Sequence, residues 1–160
     1  YFPEDSDANQ KEMTDNIAKA RSEGAQLVLV YAHWGVERDY EPSEGQMRMG
    51  RAAIDAGADL VVGSHPHVIQ GWEVYEGRYI VYSLGNFCFG GNRSPENRTI
   101  LYQLTLPIQD GALADTASEI IPCYVHTGGK INNYCPAPIA DEAQRQRVLD
   151  FMDGQTKLPY

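Results

Sequence analysis

Cysteine, basic side chains and long apolar runs are all scarce in this sequence of 160 residues. The three cysteines, Cys88, Cys123 and Cys135, leave at least one thiol unpaired and lack the Cys-x-x-Cys spacing of a zinc finger. No apolar run approaches the roughly 18 to 20 residues that cross a bilayer, so no transmembrane segment is predicted. The Gly-x-Ser-x-Gly elbow of serine hydrolases and the phosphate-binding P-loop are also missing, which excludes both classes.

Basic residues are outnumbered by acidic ones, 13 against 22, which gives a formal charge of −9. Because phosphate recognition relies on clustered Lys and Arg, this balance argues against nucleic acid as a partner. The charge is also uneven, since residues 1–76 carry six basic and fourteen acidic side chains, whereas residues 77–160 carry seven and eight. The acidic part contains three of the four histidines and is expected to attract cations.

The apolar pattern of the first part predicts alternating helices and strands. In order, it indicates a helix from Ser6 or Asp7 to Gly24, a strand over 26–32 buried on both faces, a helix over 43–56 and a buried strand over 58–63. This order predicts an α/β fold with parallel strands joined by a right-handed crossover. In such sheets, functional residues collect just beyond the carboxyl ends of the strands.

The later part of the sequence has a different, largely antiparallel pattern. It indicates a hairpin around Glu76-Gly77-Arg78, strands over 99–106 and 119–125 separated by a turn at Gln109-Asp110-Gly111, a loop over 127–138 and a helix over 141–152. We therefore expect one domain over 1–160, itself part of a larger one. It would comprise a parallel part over 1–70, antiparallel strands over 71–125 and a C-terminal helix and tail over 139–160.

Histidines follow both predicted parallel strands. His33 ends the first strand, and His65 and His67 come directly after the second, separated by Pro66. Neutral imidazole is the commonest side-chain ligand for metals such as Zn and Fe, and a tight turn lets both later rings face one cleft. The pattern predicts a metal site at this edge of the sheet, and incidental polar residues are the alternative interpretation.

Three blocks of residues carry a resemblance to a known family. They are His33-Trp34-Gly35 followed by Glu37, the stretch 57–68, which reads Gly-Ala-Asp-Leu-Val-Val-Gly-Ser-His-Pro-His-Val, and the stretch 82–87, which reads Tyr-Ser-Leu-Gly-Asn-Phe. In this order and spacing they resemble the bacterial capsule-synthesis proteins of the CapA type, which are associated with poly-γ-glutamate. The resemblance covers residues 26–89 closely and the rest of the chain more loosely.

This resemblance implies a calcineurin-like metallophosphatase fold, a four-layer α/β/β/α sandwich with mixed sheets. It further implies that His33, His65 and His67 coordinate divalent metal ions of the Mn, Fe, Zn or Mg type. Such metals hold an oxyanion and activate water at neutral pH. Glu37, Trp34, Ser83 and Asn86 follow strands in the matching blocks and are candidates for contact with the ligands or the substrate.

The sequence also departs from that family's pattern. It lacks the Asp-x-His, Gly-Asp and Gly-Asn-His blocks of the first half of a metallophosphatase domain. We therefore interpret the chain as the carboxy-terminal half of such a domain and expect the catalytic general acid in the missing half. The missing half, or another copy of the chain, is then an expected partner.

Two functions remain open on the sequence alone. In one, the chain belongs to a metal-dependent hydrolase that acts on an anionic polymer or a phosphoester during capsule or poly-γ-glutamate assembly. In the other, the same fold is a non-catalytic scaffold or polymer-handling component of that machinery. Both imply a cell-surface, membrane-associated or extracellular location for the full-length bacterial protein.

Overall fold

The computed structural model of the chain describes residues 6–91, 93–94, 96–109, 112–113 and 117–160. These residues form a mixed α/β structure that divides into two compact units, with the boundary between Gly85 and Asn86. The predicted mixed α/β class is confirmed. None of the helices in the described ranges is long and apolar enough to cross a membrane.

The first unit contains two helices and a four-stranded mixed sheet. Its elements are α1 (Asp7–Ser22), β1 (Leu29–His33), α2 (Glu44–Asp55), β2 (Leu60–Ser64), β3 (Ile69–Tyr75) and β4 (Arg78–Leu84). The strand order is β1-β2-β4-β3, in which β1, β2 and β4 are parallel and β3 is antiparallel to β4. The predicted parallel pair and the predicted hairpin are both confirmed.

Local side chains set the ends of these elements. The hydroxyl of Ser6 accepts from the backbone N–H of Asn9 at the start of α1, and Ser43 forms a capping box with Gln46 at the start of α2. The hairpin turns at Glu76 and Gly77, whose φ angles of +48° and +72° suit the right-handed twist of the paired strands. The helix starts and the turn therefore agree with the sequence pattern.

The core of the first unit lies between the sheet and its two helices. Buried side chains from α1, α2, β2 and β4 meet there, among them Ile17, Met49, Ala53, Val61 and Ile80. They supply the apolar burial that fixes the helices on the sheet.

Strand β1 differs from the prediction that it is buried on both faces. Leu29 is 59% exposed and Tyr31 is 71% exposed, whereas Val30 and Ala32 pack toward the core. The prediction was wrong because, in the described part of the chain, only one face of β1 packs against the helices. An apolar run predicts burial on two faces only when both faces have neighbours.

A charged cluster connects α2 to the hairpin. The guanidinium of Arg51 donates two hydrogen bonds to the Glu73 carboxylate, at 2.9 and 2.7 Å, and the Tyr82 hydroxyl donates a third at 2.6 Å. The Arg51 hydrogen bond, aided by that of Tyr82, lowers the pKa of Glu73 although partial burial opposes the shift. The ionised carboxylate is therefore the form that the fold stabilises.

We expect Glu73→Gln to lower the free energy of unfolding at neutral pH. A carboxyl whose pKa is lowered by folding contributes stability above its unfolded pKa and loses that contribution as the pH falls through its folded pKa. The deficit of the variant should therefore shrink as the pH falls below 4.5, the ordinary value for Glu. Urea unfolding across this pH range measures the loss of stability, with the exposed Glu12→Gln as the control. A loss that does not change with pH would contradict the stabilising role of the ionised Glu73 carboxylate.

The second unit is an antiparallel sheet with one helix. Its elements are β5 (Arg98–Thr105), β6 (Ile108–Gln109), β7 (Ala112–Leu113), β8 (Ala117–Tyr124), β9 (Ala137–Pro138) and α3 (Glu142–Met152). Strands β5, β8 and β9 form one sheet, β6 and β7 pair with each other, and Asp141 caps α3. Its buried apolar side chains include Ile100, Cys123, Val125, Ile139, Val148, Phe151 and Met152.

The sequence interpretation of this unit is confirmed for its two long strands and its helix. The predicted loop over 127–138 is wrong at its end, because Ala137 and Pro138 pair with Tyr124 and Cys123. Two residues are too few to show the alternation of apolar and polar side chains that marks a strand. Proline also argues against a strand, because it occurs in sheets only where its missing N–H is tolerated. Of the predicted turn at 109–111, residues 110 and 111 lie outside the described residues.

Candidate metal centre

The three predicted histidines of the first unit lie at the same edge of the sheet. His33 is the last residue of β1 and is paired in register with Ser64, the last residue of β2, directly before His65. The ring centroids of His33 and His65 are 4.6 Å apart, and those of His65 and His67 are 5.9 Å apart. Parallel pairing of two strands thus brings imidazoles from distant sequence positions together.

The turn after β2 has an unusual backbone. His65 and His67 have φ angles of +99° and +61°, in the left-handed region that residues with a Cβ rarely adopt. Such strain costs on the order of 1 to 3 kcal/mol per residue and is concentrated at functional sites. The turn is held from outside by the backbone N–H of Arg38, which donates to the Pro66 carbonyl at 2.8 Å.

Glu37 completes a set of candidate metal ligands. One ligand atom from each of Glu37, His65 and His67 lies within 4.8 Å of the others, and His67 Nε2 is 4.0 Å from Glu37 Oε1. In a tetrahedral site with metal–ligand bonds of about 2.1 Å, neighbouring ligand atoms lie about 3.4 Å apart. Side-chain rotations that shorten the separations by up to about 1.4 Å would bring all three within bonding distance of one ion. Two imidazoles and one carboxylate suit Zn, Fe or Mn and leave positions open for a substrate.

His33 is not one of these three residues, but its ring lies beside that of His65 and contacts the Ser64 hydroxyl. The Ser64 hydroxyl donates to the Ala32 carbonyl at 3.0 Å, so toward His33 Nδ1, at 3.5 Å, its oxygen can only accept. This long contact favours the tautomer with the proton on Nδ1, in which Nε2 carries the lone pair that can bind a metal. Burial, and then the neighbouring charge of His65, lower the pKa of His33 and favour the neutral ring that binds metal.

Trp34 and Gly63 pack together at the end of the sheet that carries the histidines. Trp34 is only 3% exposed, and its indole N–H donates to the Tyr82 carbonyl at 2.9 Å. A Cβ at Gly63 would lie 1.9 Å from that carbonyl oxygen and 2.3 Å from the indole nitrogen. Trp34 is therefore a supporting residue in this structure, packed between β2 and β4 instead of facing solvent.

The other two candidate residues, Ser83 and Asn86, are both buried. Ser83 is fully buried, and its hydroxyl donates to the Val68 carbonyl at 2.8 Å, which ties β4 to the residue that follows His67. Asn86 is 6% exposed and is the first residue of the second unit. The structure therefore brings together His33, His65, His67 and Glu37 and gives Ser83 a role in holding the turn.

Three residues near the centre were not singled out by sequence reasoning. Ser64 orients His33, and the buried glutamines Gln46 and Gln70 bond each other and the backbone around Glu37. Ser64 lies inside the histidine block, but its contact depends on strand register. The glutamines belong to α2 and β3, and no local pattern indicates that they meet.

Together, the parallel strands and the imidazole-carboxylate cluster define an α/β protein with a candidate divalent-metal centre. Residues 2–91 match the family described as bacterial capsule synthesis protein PGA_cap. The match covers more than half of the chain, and the chain belongs to this family. The family resemblance predicted from the histidine blocks is confirmed.

Relatives with related names show the same similarity. The chain is 37% identical over 127 residues to the "PGA biosynthesis protein CapA" of Bacillus subtilis, covering 78% of this chain and 30% of that protein. It is 34% identical over 153 residues to the "Capsule biosynthesis protein CapA" of Bacillus anthracis, covering 92% of this chain and 34% of that protein. A "Probable polyglutamine synthesis accessory protein" of Mycobacterium tuberculosis is 29% identical over 108 residues, covering 62% of this chain and 28% of that protein. The chain thus spans about a third of the length of these three relatives.

Proposed function

We propose that the chain belongs to a capsule or poly-γ-glutamate biosynthesis protein and contributes part of a divalent-metal site of the metallophosphatase type. The observation that carries the proposal is the convergence of ligand atoms from Glu37, His65 and His67 within 4.8 Å, beside the ring of His33. The names of the relatives support the biological role, because two of them are capsule or PGA biosynthesis proteins.

Each residue of the centre has a distinct task in this proposal. His65 and His67 bind the metal from the strained turn, His33 presents Nε2 from the end of β1, and Glu37 supplies the carboxylate. When bound, a divalent metal acts as a Lewis acid toward a phosphate or carboxyl oxygen. Glu37 is exposed, with 62% of its side chain accessible, so the centre is open to a large substrate such as an anionic polymer.

The remainder of the domain is proposed to complete the four-layer sandwich and to supply the general acid. Support comes from β1, whose exposed Leu29 and Tyr31 lie beside an open groove of about 320 Å³ that Met13 and Ile17 of α1 also line. An edge strand next to an apolar groove is suited to accept a further strand, from the rest of the domain or from another copy. The proposed location is the cell surface, in keeping with capsule assembly.

His65→Ala is expected to abolish binding of Zn²⁺ or Mn²⁺ by the chain. The variant removes one of the three clustered ligands and the link between the His33 ring and the other two, so the residues that remain no longer surround one ion. Titration calorimetry and the metal content after dialysis measure the loss. Metal-dependent hydrolysis of p-nitrophenyl phosphate by the completed domain, with and without His65→Ala, tests the hydrolase role.

The matched control is His126→Ala, which removes the fourth histidine, in the second unit, and should leave metal binding unchanged. Equal metal binding by wild type and His65→Ala would overturn the proposed centre. Metal binding without hydrolysis in the completed domain would instead favour the scaffold role, in which the metal is structural.

A further inference from the structure

A pair of buried glutamines lies under the loop that carries Glu37. Gln46 of α2 and Gln70 of β3 both have 0% exposure, and Gln46 Nε2 donates to Gln70 Oε1 at 2.8 Å. Burying an amide is unfavourable unless its polar atoms are bonded, so this pair must have further partners. Three such partners lie in the loop between β1 and α2.

The backbone of the loop occupies the remaining atoms of the pair. Gln70 Nε2 donates to the carbonyl of Asp39 at 2.9 Å and to that of Glu41 at 3.3 Å, and Gln46 Oε1 accepts from the N–H of Ser43 at 3.0 Å. A backbone N–H can only donate and a carbonyl can only accept, so neither amide can turn over without losing these bonds. The pair therefore binds the loop in one orientation.

Glu37 lies between the points where the loop is held. Before it, Gly35 has a φ of +84°, and a Cβ there would lie 2.8 Å from Gln46 Oε1, so the backbone passes directly over the pair. After it, Arg38 N–H bonds the carbonyl of Pro66, between the two histidines. The contacts on either side fix the backbone of Glu37 relative to His65 and His67.

We infer that the Gln46–Gln70 amide pair positions Glu37 as a metal ligand and so sets the metal affinity of the centre. The inference rests on the proposed metal site. When a carboxylate on an unrestrained loop binds a metal, the backbone of the loop loses conformational entropy. A loop that is already fixed does not lose this backbone entropy on binding. Groups that orient metal ligands in this way typically change metal affinity about 10- to 100-fold when they are removed.

The test is a zinc titration of the 160-residue chain and the variant Gln46→Leu/Gln70→Leu. Replacing both partners of a buried hydrogen bond with apolar groups of similar size is tolerated far better than replacing one. We expect Zn²⁺ to bind the double variant about 10- to 100-fold more weakly than wild type. Gln10→Leu/Gln26→Leu, the same chemical change outside the loop and the pair, is the matched control and should bind like wild type.

A cycle with Glu37→Gln separates positioning from a general structural effect. If the pair acts through Glu37, the leucine substitutions should cost no further affinity once Glu37 is Gln. Gly35→Ala provides a second route, because its Cβ displaces the loop while both buried amides remain, and it should show the same dependence on Glu37. If the double leucine variant does not fold, Gly35→Ala still tests whether the position of the loop changes zinc affinity through Glu37.

Each outcome decides between the inference and the proposed site. Weaker binding that depends on Glu37 supports the positioning role. Unchanged binding, or a loss that adds to that of Glu37→Gln, overturns the positioning role and leaves the metal centre standing. Failure of wild type to bind zinc overturns both.

Discussion

Replacing Gly63 with alanine is expected to lower the free energy of unfolding by more than about 4 kcal/mol, an exceptional value for one methyl group. The added Cβ would lie 1.9 Å from the carbonyl oxygen of Tyr82 and 2.3 Å from the indole nitrogen of Trp34. Relief requires either movement of β4 or loss of the indole hydrogen bond. Because natural domains are stable by only about 5 to 15 kcal/mol, much of the variant should be unfolded or insoluble.

Soluble yield and urea unfolding followed by circular dichroism measure this effect. Gly77→Asn is the control, since this turn position has open space around its Cβ and asparagine tolerates positive φ. Adding Trp34→Phe to Gly63→Ala should not restore stability, because the Tyr82 backbone still blocks the Cβ. A stable Gly63→Ala chain with wild-type zinc affinity would contradict the close approach of Gly63 in β2 to the Tyr82 carbonyl in β4.

The sequence was informative wherever a local pattern decides the structure. Helix starts at Ser6, Ser43 and Asp141 depend on side chains that bond backbone N–H groups two or three residues away, so they are visible in a short window. The placement of His33 beside His65 was also predictable, because the carboxyl ends of parallel strands share an edge.

The sequence was uninformative where a contact depends on distant residues. The exposure of Leu29 and Tyr31 reflects which neighbours β1 has, which its own apolar run does not reveal. The part played by Gln46 and Gln70 depends on a contact between a helix and a strand separated by 24 positions. The sequence therefore predicted that the three histidines lie together, but it did not reveal the buried glutamines beneath the loop that carries Glu37.

A second network stabilises the opposite end of the sheet. All five N–H groups of the Arg21 guanidinium are used, four of them on the carbonyls of Ala25, Gln26 and Gly57 and one on the carboxylate of Asp59. Asp59, which is 5% exposed, also accepts from the N–H of Val28 at 2.8 Å. Helix α1 is thereby joined to the residues that enter β1 and β2.

Asp59→Ala is expected to destabilise the chain by about 3 kcal/mol, the lower end of the range for breaking a buried ion pair, because the Arg21 side chain retains 31% exposure. The substitution leaves the guanidinium and the Val28 N–H without their shared acceptor. Urea unfolding measures the change, with Asp15→Ala as control, since the exposed Lys11–Asp15 pair is worth at most about 0.5 kcal/mol.

Metal affinity should respond differently from stability in this variant. Asp59 precedes β2, whereas His65 follows it, so the network and the candidate centre lie at opposite ends of the same strand. Zinc titrated into the folded fraction of Asp59→Ala should therefore bind as it does to wild type. A parallel loss of affinity would show that the sheet transmits strain along β2, and the two ends would then have to be treated as one coupled unit.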